Sequence, residues 1–176
     1  HIKEVLVDDQ GKLLEARLPN SLTLYFFKEN GNVKGYILPI NTRGLWGKIQ
    51  GYLAFEADGQ TVSGFSVFSH AETPGLGGEI ESAWFQKNFK GKKILNSQNK
   101  FVSIGIAKGK SVNLPKEKQD HYVDGISGAT LTGRYLSEGI KKTLIAYDAV
   151  SIKFRQKQLR AQKDTQEKEI LLKDNK

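Results

Sequence analysis

Asp124-Gly125-Ile126-Ser127-Gly128-Ala129-Thr130 sets a hydroxyl residue at the end of a small-residue loop, directly ahead of an amphipathic pattern. A loop of this kind can bind phosphate. Backbone N–H groups around Ser127, Gly128 and Ala129 can converge on an anion with little side chain in the way, and a following helix adds the positive end of its dipole. Thr130 then stands where a phosphate oxygen would be. A second stretch upstream, Glu72-Thr73-Pro74-Gly75-Leu76-Gly77, suits a flat ring. Pro74 stiffens the turn, while Gly75, Gly77 and Gly78 let bare backbone approach closely. Each stretch also has a plain reading: the first as a strand-to-helix turn with polar caps, the second as a glycine-rich connection.

Together and in this order, the two stretches resemble the signature of a family of FMN-binding domains. In that family the last Thr of Asp-Gly-x-Ser-Gly-Ala-Thr is esterified through its hydroxyl to the phosphate of FMN by a flavin transferase. Gly44-Leu45-Trp46, Gly51-Tyr52-Leu53-Ala54 and Gly78-Glu79-Ile80-Glu81 are similar to the C-subunit type of the sodium-translocating NADH:quinone oxidoreductase. The G-subunit type of the related Rnf complex, which usually lacks the Leu-Trp pair, is the alternative. The resemblance covers residues 22–147.

The resemblance implies an electron-transfer subunit with FMN joined covalently to Thr130, passing single electrons within a membrane complex that exports sodium. Asp124, Ser127, Gly128 and Ala129 would be recognition and phosphate-loop residues. Glu72, Thr73, Pro74, Gly75, Leu76 and Gly77, with Trp46 and Leu131, would neighbour the ring. An acid near a phosphate repels it unless it caps the loop or meets the transferase, and for Asp124 the transferase role is preferred. Trp46 reads either as a ring contact or as a half-buried core aromatic. Glu72 can accept a proton, bond a flavin edge or cap its own loop. Implied partners are the other subunits of the redox complex and the transferase. The implied location is the periplasmic side of a bacterial inner membrane, with an N-terminal anchoring helix outside this sequence. Two readings from other classes are a non-redox phosphate-binding module and a purely structural subunit.

The elements that must position these residues predict an α+β fold: one twisted antiparallel sheet built from hairpins and flanked by helices. Residues 22–28 and 33–39 are β-rich and joined by Asn30-Gly31; residues 49–56 and 61–69 are joined by Asp58-Gly59. Both dipeptides favour tight hairpins. Alternation of Val62, Phe65 and Val67 slips at Gly64, as at a bulge. Ile80, Ala83, Trp84 and Phe89 suggest a short helix ending near Gly91, and residues 101–107 read as a strand. After the signature, Thr132 is a candidate N-cap, and Leu136, Ile140, Leu144 and Tyr147 mark the apolar stripe of a helix. The predicted organisation is a lead-in over residues 1–21, one FMN-binding domain over 22–150 and a basic helical extension over 151–176, with Ile170, Leu171 and Leu172 its only apolar cluster.

Composition narrows the alternatives. With 176 residues and 38% hydrophobic content the chain can bury one core and is short for two. There is no Cys, which removes disulfides, thiolate-bound metals and thiol nucleophiles from the sequence as given. There is no Met, and the chain begins at His1, so it reads as a trimmed or processed piece. No apolar run is long enough to cross a bilayer. The net charge of +8 comes from scattered residues, and the Lys/Arg-rich stretch is interrupted by Asp164, Glu167 and Glu169, so nucleic acid is not an expected partner. A basic face beside an anionic membrane or an acidic subunit explains the charge as well. His70 and His121 lack the spacing of a zinc site and are expected to make structural hydrogen bonds. Neither a dinucleotide fingerprint nor a Walker loop is present, so NADH and ATP are not expected to bind directly.

Overall fold

In the computed structural model residues 1–174 are described, the side chains of Gln162 and residues 164–174 excepted. Six strands form one antiparallel sheet: β1 (Ile2–Val7), β2 (Leu13–Leu14), β3 (Leu22–Glu29), β4 (Asn32–Arg43), β5 (Lys48–Glu56) and β6 (Val62–Ser69), in the spatial order β2-β1-β3-β4-β5-β6. The β3–β4 hairpin turns on Asn30 and Gly31, both left-handed at φ 49° and 78°. That backbone matches the twist of the flanking strands, which explains the dipeptide. Between β5 and β6 the Asp58 carboxylate accepts from the Gln60 and Thr61 N–H groups, each at 2.9 Å. The register then skips a residue between the pairs Ala54–Gly64 and Phe55–Val62, so the bulge falls where the alternation slips.

One face of the sheet holds the core. Tyr36, Leu38 and Ile40 on β4 and Ile49, Leu53 and Phe55 on β5 are buried at alternate positions, as the period of a pleated strand dictates. After β6 come two short helices, α1 (Ala83–Lys87) and α2 (Lys116–Gln119), and two short parallel strands, β7 (Gly105–Ile106) and β8 (Tyr122–Val123). The long helix α3 (Thr130–Ala146) then lays Leu136, Ile140 and Leu144 on the core face. At Gly139 a Cβ would overlap the Thr42 side chain, so the bare backbone of α3 packs directly on that side chain of β4. Helix α4 (Asp148–Asp174) closes the chain. Among the described residues no helix is long and apolar enough to cross a membrane.

Several local expectations are corrected. Within residues 101–107 only Gly105 and Ile106 are strand; Phe101 makes a single bridge to Leu95, and Ser103 at φ 64° breaks the extended run. In α1 the core position belongs to Phe85, fully buried, while Trp84 is turned to solvent. Thr132 lies inside α3, which begins at Thr130, and is therefore not its N-cap. The lead-in supplies β1, paired with β3 along its whole length. The packed unit also runs past residue 150: Ser151 is buried against Tyr36, and the Phe154 ring meets Phe26 edge-on and lies tilted against Tyr36. Beyond it the helical extension continues in α4, and the Ile170-Leu171-Leu172 cluster lies outside the described side chains.

Candidate functional site

Three segments far apart in sequence meet at one end of the sheet: the turn between β4 and β5 (residues 44–47), the loop after β6 (residues 70–76) and the N-terminus of α3. They enclose a cavity of about 300 Å³, the low end of the range for small-molecule sites. Its wall includes Trp46, Glu72, Thr73, Leu76, Gly77, Gly128, Ala129, Thr130 and Leu131, all legible as site residues in the sequence. Leu45, marked in the sequence only as half of the Leu-Trp pair, and Thr132, marked only as a candidate cap, complete it. A larger cavity of about 820 Å³, beside Lys93, Asn96 and His121, contains none of these motif residues.

The signature loop reaches the cavity through its backbone. Gly128 is left-handed at φ 72°, a backbone conformation that favours glycine, and lies against the Leu76 side chain of the other loop, whose Cδ2 would be 2.8 Å from a Cβ there. Ala129 precedes the first helical residue, and no side chain caps α3. The N–H groups of its first turn point outward with the positive end of the helix dipole, as an anion site requires. Thr130 opens this turn and is exposed. It also borders a second cavity of about 300 Å³ together with Ile106, Lys108 and Arg134, which the sequence motifs do not announce. Arg134 follows Thr130 by one helical turn, and that spacing was the available signal.

Glu72 is the buried polar centre of the arrangement, 5% exposed. The Trp46 N–H donates to its Oε1 at 3.0 Å, and the Thr132 hydroxyl donates to its Oε2. Its carboxylate therefore does not cap its own loop but links the other two segments to it. Two glycines make room: a Cβ at Gly44 would stand 2.5 Å from Glu72 Oε1, and one at Gly77 would stand 2.5 Å from Thr132 Oγ1. Beside it the Glu72 N–H donates to His70 Nδ1 at 3.1 Å, leaving His70 Nε2 to face Glu81 Oε2 at 3.2 Å. His121 bonds the Lys93 carbonyl through Nδ1 at 2.7 Å. Both histidines thus make the structural contacts expected of them.

Other predicted residues sit differently. Trp46 is 69% exposed, which removes the core-aromatic reading; its backbone is fixed while its indole stands free beside the cavity. Pro74 and Gly75 form an exposed turn next to the wall, closed by the Leu76 N–H donating to the Thr73 carbonyl at 3.1 Å. Ser127 is exposed on the rim loop. Asp124 is outside the cavity wall: its Oδ1 accepts from the Ser111 N–H and hydroxyl at 2.8 and 2.7 Å, and its Oδ2 pairs with Lys110 at 3.0 Å. Burial works to raise the Asp124 pKa, but the bonds from Ser111 and Lys110 outweigh it and hold the carboxyl below its usual range. Its observed task is to tie the approach to the signature loop onto the turn at Ser111–Asn113.

Known proteins resemble this chain in sequence and fold. A family model described as the FMN-binding domain matches residues 44–145, more than half of the chain. The C-subunit of the Na(+)-translocating NADH-quinone reductase of Vibrio campbellii is 39% identical over 132 residues, covering 75% of this chain and 48% of that protein. The C-subunit of the same reductase from Pseudomonas aeruginosa is 39% identical over 112 residues, covering 64% and 42%. The chain spans about half the length of these curated relatives. Among solved structures, the C-subunit from Parabacteroides distasonis superposes with a TM-score of 0.74 at 29% identity, covering 85% of this chain and 77% of that one. NqrC from Shewanella oneidensis gives 0.74 at 25% identity, covering 88% and 84%. With its two glycine loops and the cavity they enclose all accounted for within the matched span, the chain belongs to the FMN-binding domain family.

Proposed function

We propose that this chain is the FMN-carrying portion of the C-subunit of a Na⁺-translocating NADH:quinone reductase. In this reading FMN is joined to Thr130 Oγ1 by a phosphoester that a flavin transferase forms. Other redox subunits of the complex are its electron donor and acceptor, and NADH is oxidised elsewhere in the complex, with this domain on the periplasmic side of the membrane. The carrying observation is that the exposed Thr130 lines a cavity where both glycine loops and an uncapped helix N-terminus meet.

The residues present fit the group. First-turn N–H groups of α3 can donate to a phosphate at Thr130, and glycine backbone at 77 and 128 leaves space for the ribityl chain and ring. Leu76, Leu131 and the Trp46 indole offer apolar surface to a ring at the mouth. FMN, when bound, supplies one-electron chemistry; the chain supplies position, apolar cover and a fixed set of dipoles. A covalent link removes any dissociation equilibrium, so a shallow cavity of this size can retain its group. The Vibrio and Pseudomonas relatives are both of the C-subunit type, and no observation favours the G-subunit alternative.

The test is coexpression with a competent flavin transferase, followed by denaturing electrophoresis and intact mass. The wild-type chain is expected to give a fluorescent band and a mass raised by one FMN moiety, and Thr130→Val to give neither. A wild-type mass equal to the apoprotein, or a Thr130→Val chain that still carries flavin, overturns the proposal. An apoprotein mass with retained phosphate binding would favour the non-redox module instead.

A further inference from the structure

Glu72 holds two groups from segments 26 and 60 residues away in sequence: the Trp46 N–H and the Thr132 hydroxyl. It is buried, as is Thr132 at 2% exposed, while the two residues nearest the chemistry, Trp46 and Thr130, are exposed. Space for the carboxylate depends on glycine at 44 and 77. We infer that Glu72 is a positioning residue for the cofactor site: it draws the 44–47 turn and the first turn of α3 onto the glycine loop. Trp46 is thereby held beside the cavity, and Thr130, two residues before Thr132 in the same helical turn, is held at its wall. The inference rests on the flavin reading above, but it changes the part given to Glu72, which acts through Trp46 and Thr132 rather than as a flavin ligand or proton acceptor.

Hydrogen-bond chemistry separates these roles. In Glu72→Gln the amide oxygen still accepts from the Trp46 N–H, and the amide NH₂ can donate to Thr132 Oγ1, so both links survive without the carboxylate. Glu72→Ala breaks both and leaves the buried Thr132 hydroxyl and the part-buried Trp46 N–H without their partner. Thr132→Val breaks one, and Thr132→Ser keeps it.

The experiment uses the full chain in a Trp84→Phe background, so that Trp46 is the remaining indole of the two in the sequence. Each variant is coexpressed with the flavin transferase, flavin attachment is followed over time by intact mass, and thermal unfolding checks that the chain is folded. In the loaded fraction, quenching of Trp46 emission by the attached flavin reports where the indole sits. Thr132→Val is expected to slow attachment by about tenfold, the effect of one hydrogen bond, Glu72→Ala by at least as much, and both to lose the quenching. Glu72→Gln and Thr132→Ser are expected to stay within about threefold of the parent and to keep it, which a general loss of stability would not reproduce. If Glu72→Ala does not fold, Thr132→Val carries the same test. Glu72→Gln as impaired as Glu72→Ala, beside an unaffected Thr132→Val, overturns the inference, as do four variants that all match the parent. A parent that takes up no flavin overturns the flavin reading and this inference with it; a loaded parent without the variant pattern overturns this inference alone.

Discussion

Gly77 is a residue whose identity follows from its neighbours rather than from its own backbone, since a Cβ there would meet Thr132 Oγ1 at 2.5 Å and Glu72 Oε2 at 2.8 Å. Gly77→Ala should therefore cost about 1–3 kcal/mol, because the atoms in the way are buried and hydrogen-bonded rather than free ends. Urea unfolding of the apoprotein measures it, and a change within error would show that the Glu72 contact yields easily. Asp124 makes a contrasting prediction. With its folded pKa depressed below the unfolded value near 3.8, its contribution is complete above that value and disappears as the pH falls through the folded one. Asp124→Asn should flatten the acid limb of a stability-versus-pH curve while leaving the cavity of Thr130 intact. At this scale the sequence carried the motif residues well, because glycines, a proline and a terminal Thr announce a loop chemistry by their types. It did not carry Thr132 as a partner of Glu72, since nothing local marks a bond spanning 60 residues.

Helix α4 shows how an element can look solvated and still be structural. Its first turns place Ser151 Oγ 2.8 Å from the Tyr36 hydroxyl, both buried, with the Phe154 ring tilted against the same ring, centroids 4.5 Å apart. Ser151→Ala leaves the Tyr36 hydroxyl without a partner and should cost about 1–3 kcal/mol, whereas adding Tyr36→Phe should recover much of it. Thermal melts of the two single variants and the double form the test; strict additivity would refute the pairing. The β3–β4 hairpin offers a cleaner case. A Cβ at Gly31 meets nothing within 4 Å, so Gly31→Ala isolates backbone strain at φ 78° and should cost about 1–2 kcal/mol. Hairpins were legible because Asn-Gly encodes a left-handed pair locally. Strand β1 was not, because its partner β3 lies beyond a long connection and no turn dipeptide announces it. The start of α4 was hidden by its Lys, Gln and Arg residues, among which Ser151 and Phe154 make no stripe. Two adjacent aromatics, Trp84 and Phe85, gave no periodicity that could say which faces inward.

Across the whole molecule, buried tyrosines set the alkaline limit. Burial pushes Tyr147 up to about 12 from an unfolded value of 10.0, with the Tyr25 hydroxyl adding to the shift, and burial raises Tyr36 further. Below pH 10 these phenols are neutral in both states. Above it the unfolded chain releases protons first, so stability should hold to about pH 10 and fall from there to about 12. Denaturant midpoints across that range measure the slope. Tyr147→Phe should start lower, having lost the bond to the Thr23 carbonyl at 2.7 Å, but should decline less steeply. The backbone contact of Gly139 with Thr42 has a last consequence. Because the α3 backbone rests directly on the Thr42 side chain, with no side chain of its own between them, its leading residue stands at a set distance from the sheet, with little freedom to slide. A pigment hung from that residue would swing on its own tether but not drift with its mount. Tunnelling rates decay exponentially with gap, so a rigid mount gives one hopping rate where a loose loop would give a spread.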